Sequence, residues 1–269
     1  MAFSLGGVFK NLASSIAKAD DGSVIGVDIG ASSAKIVQLR LSRGAAILET
    51  YGEIALGPYS KLPVGKALKL PPERVAEALI DLMREANVTA RSAGLSIPFA
   101  SSLVMVLDLP KVDKDALKRM VPIEARKYIP IPIGEVTLDW SVIPEEEGES
   151  SAFDQLQEKR AGPKGQEVLL VAIHNDILHT YQNITGNAGM TVSFYEIEIF
   201  SAIRSAMGHG IAPVLFVDLG ASTTKMYVVE RGIVRLTHLV SEGGQHMTEI
   251  LERVLKQQSE ESDEEEEQT

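Results

Sequence analysis

The sequence predicts an α/β protein in which one β-meander occurs twice. Three observations carry this. The segment Val24-Ile-Gly-Val-Asp-Ile-Gly-Ala-Ser-Ser-Ala-Lys-Ile-Val-Gln-Leu39 returns as Val214-Leu-Phe-Val-Asp-Leu-Gly-Ala-Ser-Thr-Thr-Lys-Met-Tyr-Val-Val229. Each copy is an apolar strand, an Asp-x-Gly-Ala-Ser-[Ser/Thr]-x-Lys turn and a second strand. Helix-type and strand-type segments alternate between them. Such a turn exposes backbone N–H groups and hydroxyls at a sheet edge, where an oxyanion can sit. Two copies facing each other would grip a polyphosphate from both sides.

The elements follow in order. Asp20-Asp21-Gly22-Ser23 marks a turn. Residues 24–28, 34–41 and 45–54 read as three antiparallel strands, with Arg43-Gly44 at the second turn. Residues 58–72 form a loop. Pro71-Pro72-Glu73 opens a helix, because proline is tolerated in the first turn; Val75, Leu79, Leu82 and Met83 give it an apolar stripe. A short strand, 93–97, ends at Pro98.

The next stretch reads β-α-β-β-α-β, the order of a split βαβ module. It comprises strand 103–109, helix 113–128, strand 135–143, strand 168–173, helix 176–188 and strand 191–197. Pro122 implies a kink or break in the first helix. Ile129-Pro-Ile-Pro-Ile133 is a rigid extended linker, and the polar stretch 144–166 is a mobile hairpin loop. Helix 198–207 and turn 208–213 lead into the second meander, strands 214–218, 224–230 and 232–240, with Arg231-Gly232 at its turn. Glu242-Gly243-Gly244 opens a helix over 247–256.

Composition bounds the function. The chain has 269 residues, 45% hydrophobic and 23% charged, as in ordinary globular proteins. It has no cysteine, which excludes disulfides, thiolate metal sites and cysteine nucleophiles. The net charge of −11 argues against a nucleic-acid surface. Much of it sits in the last residues, read as a solvated, disordered tail. No apolar run reaches the length of a bilayer span. Phe3, Leu5, Val8, Phe9, Leu12 and Ile16 recur at helical spacing. This amphipathic segment either docks on a partner or membrane surface or packs on its own domain. His174, His179, His209, His238 and His246 show no metal-ligand spacing.

The paired Asp-x-Gly turns and the later Gly-Gly helix start resemble the actin-like ATPase superfamily of actin and the sugar kinases, whose ribonuclease H-like fold carries two phosphate loops. A closer resemblance is to the type IV pilus assembly PilM family. It rests on Glu124-Ala-Arg-Lys-Tyr-Ile-Pro-Ile-Pro132, Glu135-Val136, Asp139-Trp140, Ala188-Gly189-Met190 and Glu196-Ile-Glu198. It runs from about Ser23 to about Leu255. The resemblance implies an inserted βαββαβ subdomain shared with the cell-division protein FtsA. It divides the chain into an N-terminal segment (1–22), a first subdomain (23–97 and 198–212), the inserted subdomain (98–197), a partial second domain (213–257) and the acidic tail (258–269). The family continues beyond the Gly-Gly helix into an adenosine-binding part, so the second domain is expected to be incomplete, with an open sheet edge and a tendency to self-association.

The resemblance also assigns roles. Asp28 would hold Mg²⁺ through water, and Gly30, Ser32, Ser33 and Lys35 would line the first phosphate loop of an ATP site. Asp218, Gly220, Ser222, Thr223 and Thr224 would form the second loop, and Gly243 and Gly244 would offer helix N-terminal amides to phosphate. Lys35 and Lys225 are equally readable as outward strand residues. No residue stands out to orient an attacking water; Glu198 reads as a helix N-terminal carboxylate. A peptide groove for a PilN-like inner-membrane protein would run along Tyr128, Ile129, Pro130 and Ile131, which also suit internal packing. The expected function is a cytoplasmic scaffold at the inner face of the cytoplasmic membrane, with ATP binding but doubtful hydrolysis. The alternative is an FtsA-like, membrane-associated, filament-forming ATPase of cell division.

Overall fold

The computed structural model describes residues 22–144, 165–207 and 212–267. The N-terminal amphipathic segment, most of the polar stretch 144–166 and His209 lie outside the described residues.

The first meander forms as predicted: β1 (Ser23–Ile29), β2 (Ser33–Ser42) and β3 (Ala45–Ala55), all antiparallel. Its hairpin is fixed by Arg43 and Gly44 at φ 50° and 80°. Positive φ at both central residues matches the twist of the flanking strands. The second meander reuses the device, with Arg231 and Gly232 at φ 54° and 77°. The repeat thus extends from the Asp-x-Gly turn into the next hairpin.

Strand β4 (Ser92–Ile97) pairs in parallel with β1. Helix α1 (Pro72–Glu85) crosses between β3 and β4 and buries Val75, Ala78, Leu79, Leu82 and Met83. Strands β5 (Ser102–Leu109), β6 (Val136–Val142) and β7 (Gln166–His174) form a separate antiparallel sheet of order β5-β7-β6. Period-two alternation gives this sheet two buried faces. Leu169, Val171 and Ile173 enter the main core. Val168, Leu170 and Ala172 enter a second core under α2 (Lys114–Ala125), with Leu117, Val121 and Ala125. Asp113 caps α2 by accepting from the amides of Asp115 and Ala116. The helix continues through Pro122 rather than breaking there, and ends three residues later.

Strand β8 (Thr191–Ile197) differs from expectation. It does not complete the inserted sheet; it pairs in parallel with β4, giving a five-stranded sheet of order β3-β2-β1-β4-β8. Tyr195 and Ile197 thereby enter the main core, and Phe194 covers the bare backbone of Gly94. Helix α3 (Asn175–Asn187), which precedes β8, packs on α1. Both elements therefore serve the first sheet.

Helix α4 (Glu198–Ala206) leads to the second lobe, a sheet of order β11-β10-β9. Its strands are β9 (Val214–Leu219), β10 (Thr224–Glu230) and β11 (Ile233–Val240). Tyr227, Val229 and Val234 join the main core, and Phe216 stacks on Tyr227 with ring centroids 5.0 Å apart. Helix α5 (Gly244–Glu267) starts at the glycine pair and runs through most of the stretch predicted as a disordered tail. Gln and Glu are good helix formers, so charge alone does not end it. No helix among the described residues is long and apolar enough to cross a membrane.

Candidate functional site

The two Asp-x-Gly turns share one geometry. Gly30 N donates to Ser33 O at 2.9 Å; Gly220 N donates to Thr223 O at 3.0 Å. Asp28 pairs in register with Lys35, and Asp218 with Lys225. A Cβ on Gly30 or Gly220 would come within 3.1 or 2.8 Å of those same acceptor oxygens, so both closures favour glycine.

The turns are joined by a strap, residues 63–70, that sequence reading leaves as loop. On the first lobe, Leu68 N donates to Ala31 O at 3.0 Å. One residue earlier, Ala67 N donates to Gln245 Oε1 at 2.6 Å on α5. Gln245 N in turn donates to Ala221 O at 3.0 Å. The equivalent alanines of the two turns are therefore connected through three hydrogen bonds. Lys66 reinforces the strap with Glu249 at 2.8 Å.

The glycine pair packs directly against the second turn. Gly244 N donates to Gly220 O, and Gly243 N to Nδ1 of His246. A Cβ on Gly243 would lie 2.5 Å from Gly220 O and 2.7 Å from Ala221 O. The second turn's own carbonyls cap α5, so these two amides are already engaged inside the protein.

The two turn lysines also part company. Lys35 is exposed; its Nζ is 3.4 Å from Glu53 and 3.3 Å from Ser33 Oγ. Ser33 Oγ donates to Glu53 at 2.6 Å. The Ser33 hydroxyl, first, and Lys35 hold Glu53 below the usual carboxylate range. Lys225 is 9% exposed and lies 2.8 Å from both Asp218 Oδ2 and Glu198 Oε2. Burial opposes its charge, but the two carboxylates outweigh burial and leave its pKa raised. Glu198 does start its helix, and its other oxygen accepts from Phe99 N at 2.7 Å. Thr224 is bound to Glu242 O.

Asp28 has no ion pair among the described residues, because Lys35 turns away to Glu53. A lone hard carboxylate fits Mg²⁺, which keeps most of its waters. At Asp218 an ammonium already stands where a cation would. Tyr181 is held well above the usual phenol range by burial, then by the negative charges of Glu198 and Asp28, so it stays a neutral hydroxyl. Ser32, Ser222 and Thr223 lie half-buried at the turns.

Along the linker, exposure alternates. Ile129 is buried and Ile131 half-buried against the second core, whereas Tyr128 and Pro130 face outward. Sequence reading missed Glu53, Gln245 and the strap. The Pro-bounded composition of the strap is the one signal that marks it as ordered.

A sheet carrying a meander and two parallel strands, a second meander of the same build, and paired turns joined by one strap define an actin-like ATPase fold. A family model described as type IV pilus assembly protein PilM matches residues 26–269, and the chain belongs to that family. Among solved structures it is similar to a chain of a PilM-PilN type IV pilus biogenesis complex, at 20% identity and TM-score 0.68, covering 87% of this chain. The chain spans 66% of the length of that relative. It also matches the cytoplasmic domain of EpsL, an inner-membrane component of the type II secretion system of Vibrio cholerae, at 12% identity and TM-score 0.49, covering 81% of this chain and 71% of that one. A third match is the ethanolamine utilization protein EutJ of Carboxydothermus hydrogenoformans, at 13% identity and TM-score 0.46, covering 87% and 57%.

Proposed function

We propose that this chain is a scaffold of type IV pilus assembly that seats a short cytoplasmic peptide of a PilN-like inner-membrane protein, and that nucleotide binding sets the angle between its lobes. The observation that carries the reading is the hydrogen-bonded path from Ala31 to Ala221, in a member of the PilM family. A ligand touching either turn would pull on the strap and hence on the other lobe. ATP with Mg²⁺ is the ligand that paired phosphate turns favour; the metal would neutralise phosphate charge, with Asp28 holding it through water. Gly30, Ser32, Ser222 and Thr223 would line the phosphates. The outward Tyr128 and Pro130, beside the buried Ile129 and Ile131, would meet the peptide. The similarity to a chain of a PilM-PilN complex supports that class of partner. The protein would then work at the inner face of the cytoplasmic membrane, held there by its partner.

Coupling, rather than turnover, is the task this arrangement suits. Nucleotide would act through differential affinity for open and closed lobes. The test is calorimetric titration of the full chain with a synthetic peptide of the partner's cytoplasmic N-terminus, with and without ATP and Mg²⁺. Binding that weakens about tenfold in Tyr128→Ala and changes with nucleotide is expected. No peptide binding in either condition overturns the partner, and binding indifferent to ATP overturns the coupling.

A further inference from the structure

We propose that the outer face of α2, in the inserted subdomain, docks on an anionic bilayer surface. Arg119, Ile123 and Arg126 define that face. They follow one another at spacings of four and three, and Arg126 keeps helical dihedrals as the C-cap, so the three share one line along the helix. The two arginines are exposed, and Ile123 is 63% exposed. The opposite line is Leu117, Val121 and Ala125, sealed in the second core. Val168, Leu170 and Ala172 of the inserted sheet meet α2, whereas Leu169, Val171 and Ile173 enter the main core, which both lobes share. The sheet therefore stands between α2 and the two lobes.

Charge selects the occupant. The chain has net charge −11, so an anionic surface repels most of it. Residues 110–128 run the other way, with six Lys and Arg against three Asp and Glu. On α2 itself, Lys118 is taken by Asp115 and Lys127 by Glu124, each one turn away. Arg119 and Arg126 have no ion pair among the described residues. A guanidinium fork matches two phosphate oxygens at once. The isoleucine between the forks decides among polyanions. A nucleic-acid backbone or an acidic polypeptide offers it little apolar contact. At a headgroup boundary it reaches acyl carbon while the arginines stay at phosphate depth.

The position of α2 agrees, and this step rests on the reading of a PilN-like partner. α2 ends three residues before Tyr128, which meets the peptide in that reading. A short leader anchored in the membrane keeps this side of the protein near the bilayer. Each Lys or Arg near an anionic surface strengthens binding about fivefold. Two arginines give weak binding alone, and more once the peptide tethers the chain.

The test is sedimentation of the full chain with vesicles of phosphatidylcholine, alone or mixed in equal parts with phosphatidylglycerol, in the absence of peptide. Expected are binding to the anionic vesicles only, weakening with salt, and a loss of about tenfold or more in the double variant Arg119→Glu, Arg126→Glu. A control with the same charge change elsewhere, Lys61→Glu with Arg84→Glu, should retain binding. Should the reversal disturb the far-ultraviolet circular dichroism, Arg119→Gln with Arg126→Gln, which suits a helix, must weaken binding in the same direction. No binding by wild type overturns the proposal, as does equal binding to neutral vesicles or an equal loss in the control. Full binding by both arginine variants overturns it too, since another face then carries it. So does arginine-dependent binding to polyglutamate but not to vesicles, which would mean an acidic protein partner. Arginine-dependent vesicle binding by a chain that takes no peptide supports the α2 face and overturns the partner reading alone.

Discussion

Lys225 Nζ stands 2.8 Å from Asp218 on its own sheet and 2.8 Å from Glu198 at the start of α4, so one nearly buried cation binds the second lobe to the first. Removing it leaves two carboxylates facing each other with little water. Lys225→Met is expected to cost about 2–3 kcal/mol, below the range for fully buried pairs because Asp218 retains some exposure. Lys35→Met, at the equivalent position of the first turn, breaks an exposed pair and should cost under about 1 kcal/mol. Urea denaturation of both variants checks the contrast. The sign with pH follows: the folded pKa of Lys225 is raised above its ordinary 10.5. Its contribution is complete below 10.5 and is lost as pH rises through the folded value. On the alkaline side, the gap between wild type and Lys225→Met should therefore close as pH rises through that folded value.

That asymmetry shows where the sequence stops informing. The two turns were legible because Asp-x-Gly-Ala-Ser is a local backbone device, and the same residues enforce the same closure twice. Lys35 and Lys225 occupy one position in that repeat, yet their partners, Glu53 and Glu198, come from elements that the repeat does not include. The place of β8 was hidden for the same reason: strand order along the chain does not name the neighbour. Gly94 and Phe194 hold the clue, but a glycine that needs an aromatic from a strand 100 residues away has no local signature. The strap was read as loop because its two anchors, Ala31 and Gln245, are both distant in sequence.

Gly243 is fixed by space rather than by dihedral angle. An added methyl would strike the backbone oxygens of Gly220 and Ala221, which cannot swing aside as a side-chain tip would. Gly243→Ala should cost about 1–3 kcal/mol by overpacking. Gly134→Ala, where the space is open, should be near neutral. Thermal unfolding of the pair measures this. If nucleotide lies between the turns, Gly243→Ala will also reduce ATP affinity in a calorimetric titration, since the second turn must shift.

Glu49 makes the fold sensitive to acid. Its carboxylate accepts from Gln38 at 2.8 Å, Ser23 at 2.7 Å and Arg40 at 2.7 Å. These bonds, Gln38 foremost, lower its pKa from the ordinary 4.5 to about 2. A depressed carboxylate stabilises the fold above its unfolded pKa and loses that contribution as pH falls through the folded one. Glu49→Gln should thus be less stable than wild type at neutral pH, with the difference vanishing between pH 4.5 and about 2. Denaturant titrations across that window give the answer; a difference independent of pH would mean that the Glu49 charge is not what matters.

Gly94 and Phe194 should behave as a coupled pair. The ring of Phe194 lies over Gly94 in the β4–β8 register, and a Cβ there would fall inside the ring's van der Waals surface. Gly94→Ala alone must push the ring off and disturb β8, at about 1–3 kcal/mol. Phe194→Leu alone removes apolar contact at a half-buried site and should cost about 1 kcal/mol. In the double variant the methyl fills space that the smaller side chain vacates, so the combined cost should be less than the sum of the single ones by 0.5 kcal/mol or more, a coupling typical of residues in contact. The cycle, measured by denaturant unfolding, also tests the placement of β8. If β8 belonged to the inserted sheet, Gly94 and Phe194 would be far apart and their costs would add.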